Sequence, residues 1–244
     1  MVPSVSADQM REVDRIAVEE FGLGILQMME NAGRNLAENV IDLIGETGGD
    51  VAILAGGGGN GGGGLCCARH LHSRGLRVWV VLDRDAATLK GAARNQLRVL
   101  RAAGVQPVDP SQARKALDRA QIVVDALIGY SLRGAPRGRG AELIGLCNEH
   151  AAHVISLDVP SGLDATSGQA PGQVVRPDRT LTLTLPKTGL HEVPGELYLA
   201  DIGIPPEVYR RLRLTVEPPF DFGPRSALRA GIFGRRYWVR LEGG

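Results

Sequence analysis

Between Ala55 and Leu65 the chain reads Gly56-Gly57-Gly58-Gly59-Asn60-Gly61-Gly62-Gly63-Gly64. An apolar run, Val51 to Leu54, leads directly into it, and a helical pattern leads directly out. A stretch without Cβ atoms lets main chain approach other main chain, or a ligand, more closely than any other sequence allows. Strand and helix flank the run too tightly for a flexible linker. The expected form is a loop that opens a helix, with free N–H groups and the positive end of the helix dipole facing one spot. A phosphate-bearing ligand is the natural guest there.

The rest of the chain supplies the frame for such a loop. Strand candidates are Val51 to Leu54, Val78 to Leu82, Ile122 to Ala126, Val154 to Leu157, Leu181 to Leu185 and Leu197 to Ile202. Between the first four lie Leu65 to Arg74, Leu89 to Ala103, Gln112 to Ala120 and Gly140 to His150, each long enough for a crossover helix. Alternation of this kind predicts an α/β fold with a mainly parallel sheet covered on both faces, and the nearly unbroken apolar character of the runs agrees. Ahead of the sheet come two helices. The first is capped by Ser6-Ala7-Asp8-Gln9 and carries Met10, Val13, Ala17 and Phe21 on one face. The second starts near Ile25, with Leu26, Met29, Ala32, Leu36, Val40 and Leu43 as its apolar stripe. Met28 and Met29 read as core. One domain over 1–219 is expected, followed by an irregular tail over 220–244 that holds Phe220, Phe222, Phe233, Tyr237 and Trp238 and docks on the body or on a second copy of the chain.

Several functions are excluded or disfavoured by simple counts. A net charge of +1 on 244 residues is far from the basic balance of a nucleic-acid binder. No apolar stretch approaches the roughly 20 residues of a membrane span, and the first residues do not form a secretory signal, so a cytoplasmic location is expected. Cys66, Cys67 and Cys147 are an odd set with neither a disulfide nor a zinc spacing and read as small buried hydrophobes. His70, His72, His150, His153 and His191 lack the spacing of a zinc site and read as surface or structural residues.

The glycine run also satisfies GxGxxG, with Asp83 at the end of the next strand where a ribose-binding acid would stand. In so glycine-rich a run that match is cheap. It leaves an NAD-dependent dehydrogenase as a rival that lacks any obvious catalytic His or Tyr-Lys pair. No Lys-Ser or Lys-Thr follows the run, which removes a P-loop hydrolase. Two further loops leave strand ends: Asp125 to Gly134, and Asp158-Val159-Pro160-Ser161-Gly162-Leu163-Asp164. In open parallel sheets ligands bind beyond the carboxyl ends of the strands, so Asp125, Asp158 and the glycine run are expected to converge on one crevice. Asp83 and Asp164 read as turn residues.

At these residues the sequence resembles the NAD(P)H-hydrate epimerases, the YjeF N-terminal domains. The resemblance runs from about Ser6 to Pro205. It rests on Leu26-Gln27-Met28-Met29-Glu30-Asn31-Ala32-Gly33, the glycine run into Ala68-Arg69-His70-Leu71, and Val124-Asp125-Ala126-Leu127-Ile128-Gly129. The Asp158 turn, Thr182-Leu183-Thr184-Leu185-Pro186-Lys187 and Ala200-Asp201-Ile202-Gly203-Ile204-Pro205 complete it. The resemblance implies a Rossmann-like three-layer αβα sandwich and a substrate that is hydrated NADH or NADPH. It implies one potassium ion on Asn60, Asp125 and Ser161, and substrate contacts from Gly59, Asn60, Gly61, Gly62, Gly63, Gly129, Tyr130, Ser131, Leu132, Arg133, Gly134, Ala135 and Asp158. The family's loop reads Asn-Asn-Gly-Gly-Asp-Gly, and an ungapped match puts Gly59 at its first asparagine and Gly63 at its aspartate. Ala135 stands where some relatives carry an acid.

Epimerisation at the hydroxyl-bearing ring carbon fits loss of hydroxide, pushed by the ring nitrogen, and return of water to the other face. Asp158 is the candidate acid and base for both steps, and Asp158→Asn is expected to remove most turnover and leave the fold intact. A separate NAD(P)H-hydrate dehydratase is the expected functional partner, and a homodimer is open. A catalytically degenerate binding or scaffold domain on the same fold is the alternative.

Overall fold

The computed structural model describes residues 2–45, 48–216 and 238–241. A seven-stranded sheet runs through the molecule in the order β2-β1-β3-β4-β5-β6-β7. The strands are β1 (Asp50–Ala55), β2 (Arg77–Leu82), β3 (Ile122–Ala126), β4 (Val154–Leu157), β5 (Arg179–Leu183), β6 (Glu196–Ala200) and β7 (Trp238–Arg240). All neighbours are parallel except β7, which lies antiparallel on β6 with Ala200 opposite Trp238. The last part of the expected irregular tail is therefore a strand docked on the body, where Trp238 meets Tyr198 edge to face at 5.2 Å. Phe220, Phe222, Phe233 and Tyr237 lie outside the described residues.

Helices α2 (Ile25–Ile44), α3 (Gly59–His72) and α4 (Gly91–Ala102) cover one face. They pack on Val51, Ile53, Val80, Ile122, Val124 and Leu157. Helices α5 (Ala113–Arg119) and α6 (Gly138–His150) cover the other face, against Ala52, Leu54, Val81, Val123 and Val154. Odd and even positions of β1 thus serve opposite layers, as the strand period requires. Helix α1 (Ala7–Arg15) carries the expected capping box on Ser6 and widens into a π-helical turn over Ile16–Glu20. Together with α7 (Pro206–Arg211) it packs across the carboxyl edge of the sheet through Met10, Val13, Ile202 and Val208. Phe21 and Leu26, expected on apolar faces, are exposed instead. The stripe of α2 runs through Met28, Ala32, Leu36 and Val40.

The glycine run differs from the expected loop. Only Gly56, Gly57 and Gly58 form the turn, and α3 begins at Gly59, not at Leu65. Glycine costs a helix about 1 kcal/mol per residue relative to alanine, and close packing explains the choice. A Cβ on Gly61 would lie 1.7 Å from the Gly56 carbonyl oxygen, and one on Gly64 would lie 2.6 Å from the Ala126 Cβ. Gly62 faces Met29, and Gly33 of α2 faces Cys66 in the same way. The run therefore lets α3 sit unusually close to the sheet and to α2, which brings its N-terminus to the ends of β1 and β3.

Candidate active site

The chain enters the sheet at β1, builds β2 on one side and β3 on the other, so the strand order reverses at the β1–β3 boundary. Crevices in parallel sheets form at that point. A cavity of about 240 Å³ opens there. Its walls are apolar on one side, with Met28, Met29, Ala32, Leu157, Leu183 and Ile202, and its polar groups come from Asp14, Asn60, Tyr130, Ser131 and Asp158. The two methionines are thus both core and cavity wall. A wider groove of about 1020 Å³ lies at the opposite, amino-terminal edge of the strands, around Asp50 and Arg77, away from these groups.

Asp158 follows β4 at φ +70°, in the left-handed region. The Val159 N–H donates to the Leu157 carbonyl at 2.9 Å and the Asp158 N–H to Leu181 at 2.8 Å. This is the strained, positive-φ form of γ-turn, and its neighbour repeats it. Thr184, just past β5, has φ +70°, with Leu185 N–H on the Leu183 carbonyl at 2.7 Å. For a β-branched residue such a φ is a genuine outlier, and strain of this kind gathers at functional sites. Its effect here is to aim the Asp158 carboxylate back into the cavity.

That carboxylate is ion-paired with Lys187, whose side chain is 1% exposed. The ammonium also donates to the Leu183 carbonyl at 2.8 Å and sits 5.8 Å from the centre of the Tyr130 ring. The N–H groups of Tyr130, at 3.2 Å, and Leu183, at 3.3 Å, complete the set on Asp158. Lys187 is held from behind, since Val5 N–H donates to Pro186 and Thr188 N–H to Val5. The Tyr130 hydroxyl donates at 2.5 Å to Asp14 of α1. Burial pushes the Asp14 carboxyl above the ordinary carboxylate range, partly offset by that hydrogen bond and by Lys187.

Asp125, in β3, is 0% exposed. Its partners are the Ser161 hydroxyl at 2.5 Å, the Ser161 N–H at 2.8 Å, the Ser156 hydroxyl at 2.8 Å and the Leu127 N–H at 3.3 Å. All are neutral. Burial pushes its carboxyl upward, against the pull of these donors. The Ser161 hydroxyl in turn accepts the Ile128 N–H at 2.8 Å. Gly129 is the meeting point of the crevice. A Cβ there would lie 3.2 Å from both the Asn60 Oδ1 and the Asp158 Oδ2. The Asn60 amide nitrogen is buried without a hydrogen-bond partner among the described residues.

A protein-family model described as the YjeF-related protein N-terminus matches residues 25–189. The chain belongs to this family. A NAD(P)H-hydrate epimerase of Dehalogenimonas lykanthroporepellens is 54% identical over 227 residues, covering 91% of each chain. Another, of Rhodopirellula baltica, is 36% identical over 217 residues, 86% of this chain and 88% of that one. A bifunctional NAD(P)H-hydrate repair enzyme of Hyperthermus butylicus is 40% identical over 196 residues, which are 78% of this chain and 36% of that protein. In fold the chain is similar to the crystal structure of yeast YNL200c, with a TM-score of 0.83, 22% identity, and 98% and 100% coverage.

Within this YjeF N-terminal fold, Gly59, Asn60, Gly63, Gly129, Tyr130, Ser131 and Asp158 line the cavity. Gly61 and Gly62 do not, because they are spent on packing against Gly56 and Met29. Leu132, Arg133, Gly134 and Ala135 follow the chain away from the cavity wall, Ala135 packing near Gly172. Asp83 is held by the Arg84 guanidinium at 2.7 and 2.9 Å, and it does not line the cavity. Asp164 takes the N–H groups of Thr166 and Ser167, as a turn residue should. The cysteines are all buried, with the Cys66 thiol pushed up to about 12 by burial. Glu30, Cys66 and His70 do converge, but an Arg69 guanidinium nitrogen is paired with Glu30 and lies 3.3 Å from Cys66 Sγ and 3.5 Å from His70 Nε2. A cation already fills the centre of that cluster. Lys187 and Asp14 were not anticipated. Lys187 ends a motif of the resemblance without a role of its own, and Asp14 lies outside the matched span.

Proposed function

We propose that this protein interconverts the two epimers of hydrated NADH and NADPH. The observation that carries the reading is 54% identity, over 91% of both chains, to a protein named for that activity, and the cavity's chemistry supports it. Apolar walls suit a reduced nicotinamide ring, the α3 N-terminus and its glycines suit a phosphate, and Asp158 supplies a carboxylate at the ring. The test is interconversion of the two NADH-hydrate epimers followed by NMR or chromatography against a no-enzyme control. Clear acceleration is expected, and a folded protein that gives none overturns the reading in favour of a binding domain on the same fold.

A monovalent cation next to this cavity belongs to the same reading. Asp125 is a fully buried carboxylate whose partners are all neutral, and burying an unpaired charge is costly. Asn60 lines the cavity while Asp125 and Ser161 lie behind its wall, and together the three offer hard oxygen donors of the kind that suits potassium. Bound there, the ion would neutralise Asp125 and add positive potential next to the substrate. Asp158 then serves as the base that takes the proton from incoming water, and Met28, Met29 and Leu157 shield the reacting ring from bulk solvent. Among the described residues no helix is long and apolar enough to cross a membrane. A cytoplasmic site of action, beside a dehydratase acting on one epimer, belongs to this reading, and three free cysteines suit such a reducing compartment.

A further inference from the structure

Asp158 is ion-paired with Lys187, whose side chain is 1% exposed, and a carboxylate so paired is better placed to accept a proton than to give one. Loss of hydroxide from a ring carbon needs a proton donor first. Lys187 lies behind Asp158, with its ammonium also bound to the Leu183 carbonyl and to Thr182 Oγ1 at 3.4 Å, and it is not part of the cavity wall.

The other carboxyl group in the cavity wall is Asp14. Helix α1 is rich in charge, yet its arginines go elsewhere: Arg11 pairs with Asp8, and Arg15 with Glu12, Glu19 and Glu20. Among the described residues Asp14 has no basic partner, and the Tyr130 hydroxyl holds one of its oxygens and leaves the other free. Tyr130 also binds Asp158 through its backbone N–H, so the two carboxyl groups stand at opposite ends of one tyrosine. The helix opens into its π turn two residues after Asp14, a local irregularity of the kind found at functional sites.

We propose that Asp14 is the second acid–base residue of this site, donating the proton to the leaving hydroxyl across the cavity from Asp158. The inference rests on the epimerase reading. In the first step the Asp14 O–H bond breaks and its proton goes to the hydroxyl oxygen. The carbon–oxygen bond breaks with its electron pair on the departing water, and the ring nitrogen lone pair forms a carbon–nitrogen double bond. In the second step a water oxygen bonds to the same carbon from the Asp158 side, the double-bond pair returns to nitrogen, and the water proton passes to Asp158. One proton has moved from Asp14 to Asp158. The reverse passage, or exchange with solvent at the exposed Ser131 mouth, returns it. The groups facing Asp14 are Tyr130 and Asp158 in the cavity wall, Lys187 behind Asp158, Arg11 on its own helix beside Tyr130, and Tyr209 on α7.

The test compares wild type, Asp14→Asn, Asp14→Glu and Tyr130→Phe in the epimer assay across pH, with melting temperatures. Wild type should lose rate as pH rises through the Asp14 pKa. Asp14→Asn should lower kcat at least 100-fold with KM within threefold, and its residual rate should lack that alkaline fall. Asp14→Glu should recover part of kcat. Tyr130→Phe removes a hydrogen bond that favours the ionised Asp14, so its alkaline limb should move to higher pH, a result no purely structural role produces. If Asp14→Asn does not fold, the Tyr130→Phe limb decides alone. A folded Asp14→Asn within threefold of wild-type kcat, or an unmoved limb in Tyr130→Phe, overturns the proposal. A folded, inactive wild type instead overturns the epimerase reading beneath it.

Discussion

Asp125 and Asp158 stand at the carboxyl ends of adjacent parallel strands, and both are almost wholly buried, yet their charge is handled in opposite ways. Asp158 has two backbone N–H donors and one ammonium. Asp125 has four donors and no cation among the described residues. Hydrogen-bond count therefore does not separate them; charge compensation does. A carboxylate with a resident lysine is stable as an anion without outside help. A carboxylate with only serine and backbone donors is held above its ordinary pKa by burial and is stabilised by any small cation that reaches it.

The largest effect should come from breaking the compensated pair. Asp158→Asn removes the proton acceptor, with a fall in kcat of about 10²–10⁴-fold expected for lost acid–base catalysis. It also strands a buried ammonium, which costs about 3–5 kcal/mol, so the fold does not escape as the sequence alone suggested. Adding Lys187→Met should restore the melting temperature and leave activity low. A double variant that regains activity would remove Asp158 from the chemistry. One that stays as unstable as the single variant would show that the ion pair is not what Asp158→Asn disrupts.

A smaller effect should appear at Asp125, and its sign follows from the raised carboxyl. A group whose folded pKa lies above its unfolded value favours the folded state at low pH and loses that contribution as pH rises through the folded pKa. In tetramethylammonium buffer the protein should therefore lose stability across that window. Potassium at ten times its Kd should return about 1.4 kcal/mol. In Asp125→Asn both the potassium response and this part of the pH dependence should vanish. Melting curves at several pH values, with potassium or tetramethylammonium, check this, and an equal potassium response in the variant would place the ion elsewhere.

This contrast also separates what the sequence discloses from what it hides. Apolar runs mark six parallel strands within a few residues, and the strand-end positions of Asp125 and Asp158 follow from them. The glycine run is plain in the sequence, but its sequence discloses only part of its role. Gly61 serves the tight local turn against Gly56, while Gly62 and Gly64 serve close helix packing, a contact with partners distant in sequence. Lys187 was hidden because a lone lysine after a strand looks like any solvated one, and only a strained turn at Thr184 and the clamp from Val5 bury it. Asp14 was hidden because an acid on an amphipathic helix has no local signature. Its role comes from Tyr130, 116 residues away.

The finest test changes hydrogen bonding at Asp125 without changing charge. Ser156→Ala removes one donor to the Asp125 Oδ2 from the adjoining strand and leaves Ser161 and Leu127 in place. The loss should be about 1 kcal/mol in tetramethylammonium. Because one of the groups that favour the carboxylate is gone, the folded pKa of Asp125 should rise further, and the pH window of lost stability should extend upward. Potassium should then recover more stability in the variant than in wild type, since the ion supplies what the hydroxyl did. If Ser156→Ala instead responds to potassium less than wild type does, the hydroxyl belongs to the cation's own surroundings, and the distinction between the two aspartates lies in geometry as much as in charge.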